Sequence, residues 1–319
     1  MNKLSLMNKL SLLNRLSLMN RLSLTIIACF VFCTHICAQE AEMEQNIFET
    51  MRDGDKAAVV AVHVGAEDAA ARQSIERFNA MLRKVYPERE FRQAWTSRDL
   101  ILQASSDGGS RIATPDELFS QLKKEGYTHL LIQSSNIVNG TDMQILRHEV
   151  DAAKGMFKHV RMGEPLLTDE SDYEHAVRAT VAAYGSAKEA NVLVCNTTAG
   201  SENAQYALLD YTLKDQDFKD WFVGTTGGYP SLQSLLKQLK RQKVKKVHLI
   251  PFIFIASNKA TATMTSEWTQ QLQKAGYKVT AELRNLGDVD AIIDIFEKHL
   301  RHAEMFHRYS PKELKMMSR

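Results

Sequence analysis

The sequence predicts an α/β protein built from two similar doubly wound, flavodoxin-like halves with parallel sheets and a cleft between them. Three observations carry this. Apolar runs at 57–64, 129–133, 192–195 and 247–255 are too uniformly apolar to have one wet face, and so read as buried parallel strands. Segments of helical period alternate with them, which is the pattern of helices covering both faces of a sheet. A weak internal repeat, LKKEGYTHLLI at 122–132 and LKRQKVKKVHLI at 239–250, twice gives a helix end followed by a strand.

The first 24 residues are four hexamers, MNKLSL, MNKLSL, LNRLSL and MNRLSL, and they run into the apolar stretch 25–37. A basic region followed by an apolar region predicts a signal peptide over 1–38, cut after the small Ala38. The apolar run is short for a bilayer span. Export to the periplasm follows, or attachment to a membrane if Cys37 carries lipid. Met19 alone would start a leader of normal length. A linker is expected over 39–55.

In the first half, 56–180, Ile75, Phe78, Leu82 and Val85 share a helix face, and Thr114-Pro115-Asp116-Glu117 supplies a cap, a first-turn proline and a capping-box acid. In the second half, 181–305, Leu232, Leu235, Leu236 and Leu239 share another face. Residues 306–319 read as a tail. Ligands of such folds sit beyond the carboxyl ends of the strands, so the loops 134–142, 195–203 and 256–264 are expected to face one cleft.

Of 319 residues, 44% are hydrophobic and 24% charged, an ordinary globular balance. Four of the 40 lysines and arginines (Lys3, Lys9, Arg15 and Arg21) precede Gln39, where there is no acid, which leaves 36 cations against 38 acids. That balance gives no global basic field, and no Lys/Arg cluster is interleaved with aromatics, so nucleic acid is excluded as the expected partner. Cys29, Cys33 and Cys37 belong to the leader, and Cys195 alone cannot form a disulfide framework. His129, His148, His159, His175, His248, His299, His302 and His307 fall at expected helix ends or surfaces without zinc-site spacing.

Several ordered stretches together resemble the anaerobic sirohydrochlorin cobalt chelatases: VVAVHVG (59–65), FRQAWTS (91–97), 127–140, GEPLL (163–167), 203–210, 224–230, 249–264 and the closing 286–300. The resemblance runs from about Lys56 to about His302. It implies two α/β halves whose cleft holds a tetrapyrrole. It also implies three catalytic positions, and each departs from the family's pattern. Where the family has a glycine, histidine, glycine run, this chain has Cys195-Asn196-Thr197; where it has a second histidine, this chain has Lys259; and its acidic residue corresponds to Asp142.

Inserting Co²⁺ needs a group that holds the cation over the ring and removes two pyrrole protons, which neutral imidazole can do. The amide of Asn196 is no base, and an amine with an ordinary pKa near 10.4 repels the metal. Lys259 can instead pair with a ring carboxylate, or be a solvated loop lysine. The resulting expectation is a protein that captures haem or a related tetrapyrrole for iron uptake, with an outer-membrane haem uptake system as partner and homo-oligomers allowed. An active cobaltochelatase using Co²⁺ is the enzymatic alternative. Expected ligand contacts are His63, Asn136, Met143, Lys259 and Met264, with His63 and Asp142 as metal ligands and Cys195 as a further axial candidate. The blander readings are a satisfied buried His63, packing roles for both methionines and a small buried hydrophobe at Cys195.

Overall fold

The computed structural model describes residues 42–106, 111–185, 189–197, 200 and 202–308, so the expected signal peptide over 1–38 and the part of the expected tail beyond 308 lie outside the described residues. Two compact units result. The small one holds β1 (Glu42–Glu44), paired antiparallel with β10 (Phe306–Arg308). The large one, 45–305, carries two four-stranded parallel sheets.

The first sheet contains β2 (Ala57–His63), β3 (Glu90–Trp95), β4 (His129–Ser134) and β5 (His159–Met162) in the order β3-β2-β4-β5. The second repeats that order with β6 (Ala190–Cys195), β7 (Trp221–Thr225), β8 (Lys246–Pro251) and β9 (Lys278–Ala281) as β7-β6-β8-β9. Every residue of β2, β4 and β6 is buried, which is why the middles of these strands read as apolar runs with no wet face. Two parallel sheets of the expected kind are therefore present.

The helices follow the same alternation. In chain order they are α1 (Ala69–Val85), α2 (Arg98–Ser106), α3 (Pro115–Lys124), α4 (Thr141–Ala153), α5 (Glu170–Tyr184), α6 (Asn203–Asp215), α7 (Leu232–Arg241), α8 (Asn258–Lys274) and α9 (Asp290–Met305). Asp68 starts α1 by accepting from Ala71 N at 2.9 Å, Thr114 and Glu117 form the expected capping box, and Ser257 starts α8 by accepting from Ala260 N at 2.9 Å.

Four features depart from the sequence reading. The run 247–255 is a strand only to Pro251; beyond it the chain turns irregular, yet Phe252 and Phe254 stay buried and their segment pairs with the 3₁₀ turn Leu286–Asp288 through Leu286 N to Ile253 O (2.9 Å) and Gly287 N to Phe254 O (3.1 Å). The expected loop 256–264 is mostly the first turns of α8. The expected linker is packed rather than free, because Ile47 is fully buried and Gln45 and Ile47 donate to the carbonyls of Met305 and Glu304. The division at 180/181 falls inside α5.

The last helix crosses back to the first half. It packs on β4, β5, α1 and α5, and its Phe296 meets Phe78 of α1 at 5.2 Å and Phe254 of the second half at 5.0 Å between ring centroids. With Phe78 and Phe254 5.7 Å apart, the three rings form an edge-to-face cluster that fastens the halves together.

Candidate functional site

In each sheet the first strand of the half has its successors on opposite sides. The order therefore switches direction between β2 and β4, and again between β6 and β8, and crevices for ligands open at the carboxyl ends of such strands. His63 ends β2, and Asn136, Asn196 and the 252–259 segment follow the ends of β4, β6 and β8. Loops from the two halves meet there on two sides. Asn139 N donates to Gln205 Oε1 at 3.0 Å, and Ser257 Oγ donates to Glu67 Oε2 at 2.7 Å. Gly140 runs beside Glu202, where an added Cβ would lie 3.7 Å from the glutamate's own Cβ.

The proposed ligand contacts divide sharply. His63 is fully buried, and both ring nitrogens are engaged, Nδ1 with Ser135 Oγ and Nε2 with Asn79 Oδ1, each at 2.9 Å. Burial pushes its imidazole down to about 4, against which the Asn79 hydrogen bond acts only partly. His63 is thus a structural histidine that presents no free nitrogen to a metal. Met143 packs in the first half's core with its sulfur 3.4 Å from Ser134 Oγ, and Met264 packs with Trp268 and Leu272 in the second. Neither thioether is offered as an axial ligand. Cys195 is buried too, and burial pushes its thiol well above the ordinary value. These corrections have two causes: His63 and Cys195 end β2 and β6 with their side chains turned into the interior, while Met143 and Met264 lie in α4 and α8 on the faces that pack against the cores.

Asn136 and Asn196 remain at the mouth. Asn136 is half-buried and its carbonyl accepts from Leu166 N at 3.0 Å. Asn196 is exposed, and its Oδ1 accepts from Thr226 Oγ1 at 3.0 Å. Asp142 is exposed in the first turn of α4, and Lys259 stands in the first turn of α8, its amine lying outside what the structure describes. Among the described residues no group of three His, Cys, Asp or Glu could hold a metal ion.

One polar group at the mouth was missed. Glu202 is 7% exposed, and its Oε1 accepts from Thr197 Oγ1 at 3.1 Å, one residue from Asn196. In the sequence it is one acid before an ordinary helix, so only the fold reveals its burial. His129 and His299, expected at surfaces, are also buried. His129 lies between Thr50 and Thr128 hydroxyls and stacks on His159, while His299 Nε2 is 3.0 Å from Asp172 Oδ1.

Apolar surface flanks the polar groups. Val64, just past β2, and Tyr229, past β7, are 41% and 57% exposed. Tyr229 is held at this end by its backbone N donating to Asn203 Oδ1 at 2.9 Å. Gly228 permits that contact, since a Cβ there would overlap the same oxygen.

Comparison with known proteins fits this geometry. Residues 56–305 match the family described as cobalt chelatase (CbiK). The chain belongs to the cobalt chelatase (CbiK) family. Within it, a sirohydrochlorin cobaltochelatase of Salmonella typhimurium is 30% identical over 223 residues, spanning 68% of this chain and 84% of that protein. The sirohydrochlorin cobaltochelatase CbiKC of Nitratidesulfovibrio vulgaris is 25% identical over 260 residues, 78% of this chain and 90% of that one. Among solved structures, SirB of Bacillus subtilis with Fe³⁺ superposes with a TM-score of 0.57 at 15% identity, covering 78% of this chain and 96% of SirB. The fold of two parallel-sheet halves thus has a solved counterpart in SirB.

Proposed function

We propose that this chelatase relative is an exported protein that holds haem or a related tetrapyrrole at the mouth formed by the carboxyl ends of its two sheets, captures it for iron uptake and inserts little or no metal. The observation that carries the proposal is Asn196. It stands past β6 at the switch point, and its amide oxygen is already engaged by the Thr226 hydroxyl. An amide can neither take a pyrrole proton nor bind a dehydrated cation well. A ring face needs apolar contact, which Val64 and Tyr229 supply, and ring carboxylates need a cation, for which the sequence offers Lys259. The leader argues for a place outside the cytoplasm, where a finished metallotetrapyrrole is met before its precursors, and an outer-membrane haem uptake system would receive it.

One observation favours the enzymatic alternative, a sirohydrochlorin cobaltochelatase with Co²⁺ as substrate. Glu202 is a largely buried carboxylate next to Asn196 and is able to accept a proton through Thr197. Two measurements separate the readings. Haem added to the mature protein is expected to give a saturable Soret change at micromolar concentration, while Co²⁺ and sirohydrochlorin give negligible turnover. Turnover approaching that of an authentic chelatase would overturn the capture reading, and no saturable binding of either ring would overturn the tetrapyrrole reading itself.

A further inference from the structure

The pole of the second sheet opposite the mouth is strongly cationic. From Trp221 to Ser266 the chain has no acid at all. Lys240 and Arg241 end α7, Lys243 lies in the turn after it, and Lys245 and Lys246 lead into β8; all five are exposed. The neighbouring strand adds to them, because Lys278 is the register partner of Lys246 and donates its backbone N to Lys245 O at 3.0 Å. Lys274, in the last turn of α8, is exposed four residues before it. None of these seven cations takes part in an ion pair among the described residues. The nearest acid along the sheet, Glu189 before β6, is occupied by the Thr280 hydroxyl at 2.7 Å.

A bland account covers part of this. Cations in the last turn of a helix complement its dipole, which suits Lys240, Arg241 and Lys274. It does not cover Lys245, Lys246 and Lys278, and it fails most clearly at Lys243. That residue has φ 55°, the left-handed region that favours glycine. The same turn follows three other helices, with glycine at Gly126 and Gly276 and a second strained non-glycine at Asp217, and the equivalent position of the first half is one of the glycines. There Gly126 N donates to Lys123 O and Tyr127 N to Leu122 O, as Lys243 N donates to Lys240 O and Val244 N to Leu239 O. Gly126, with φ 83°, is thus the counterpart of Lys243. A lysine stands in strain where the repeat has an unstrained glycine, and its amine joins the patch.

We propose that this pole is a docking surface for an anionic phospholipid bilayer. The cations are nearly all lysines, compact point charges that suit a diffuse array of headgroup phosphates rather than bidentate recognition of one group. Tyr277, half-buried, is the aromatic residue beside them, so there is no platform on which bases would stack. The carboxyl ends of β6 and β8 lie at the other end of the same strands. Docking through the basic pole therefore leaves the mouth open to solvent.

The test uses the mature chain from Gln39, which lacks the apolar stretch 25–37, and co-sedimentation with phosphatidylcholine vesicles with or without phosphatidylglycerol. Binding is expected only to the phosphatidylglycerol vesicles and is released by salt. A lysine near such a surface strengthens binding roughly fivefold. Lys245→Glu with Lys246→Glu should therefore weaken it at least about tenfold, without changing the thermal midpoint or haem binding. Lys243→Gly should weaken binding while raising the thermal midpoint, a pair of opposite effects that a merely structural lysine would not produce. Equal binding to both vesicles, insensitivity to the charge reversals, or tight binding of a mixed-sequence RNA without vesicle binding would each overturn the proposal.

Discussion

Acid should weaken this protein through His63, and the size of the effect can be worked out. In the unfolded chain the imidazole titrates near 6.5, while in the fully buried site between Asn79 and Ser135 it is pushed down to about 4. The folded state refuses a proton that the unfolded state accepts. The stability tied to neutral His63 is therefore complete above pH 6.5 and is lost as pH falls toward 4. The linkage relation gives a loss of about 2 kcal/mol between pH 8 and pH 5, rising to about 3.4 kcal/mol below pH 4. Urea denaturation of wild type and His63→Gln at pH 8, 6.5 and 5 isolates this contribution. His129, also pushed down by burial and by neighbouring His159, acts in both proteins and cancels in the comparison. The variant should be less stable at pH 8 but should lose about 2 kcal/mol less on going to pH 5. Equal losses in the two proteins would refute the assignment of His63 as a buried neutral histidine, and would reopen its candidacy as a metal ligand.

Three further outcomes follow from the geometry. Ser257→Ala removes the cap of α8 and the donor to Glu67, and should cost about 1–2 kcal/mol in urea denaturation. Gly65→Ala forces a side chain at φ 130° to within 2.9 Å of Leu100 Cβ and 3.0 Å of the Trp95 ring, and should cost about 2 kcal/mol or more by the same measure. Lys259→Glu should weaken haem binding by about 1–3 kcal/mol in a spectrophotometric titration with an unchanged Soret position, the range for losing a charge-assisted contact; an unchanged affinity would make it a solvated lysine.

The fold was legible because burial on both sides of a parallel strand leaves an unmistakable apolar run, as in β2, β4 and β6. The edge strand β9, KVTA, and the polar start of β3, EFR, face water in part and carry no such signal. The region of the site was legible too, since loops past strand ends must gather at one end of a parallel sheet. The orientation of single side chains was not. Whether Met143 faces the crevice or the core depends on where α4 lies against β4, and the partners of His63 come from 16 and 72 residues away. Glu202 was hidden for a similar reason, because Gly140 of the other half lies beside it as well as its own neighbour Gly200.

The return of α9 to the first sheet also bears on when the protein can fold. Its Ile292, Phe296 and Leu300 are buried in the same core as Val59 and Leu131 of the first sheet, so that apolar face, covered in part by Phe78 and Leu82 of α1 and Val177 of α5, closes fully only once residues 290–305 have left the ribosome. The earliest half to be synthesised is thus the half that waits longest to close. Contacts spanning more than two hundred residues make closure slow. A chain that stays open until its synthesis is nearly finished leaves a holding chaperone a well-defined apolar target in the meantime.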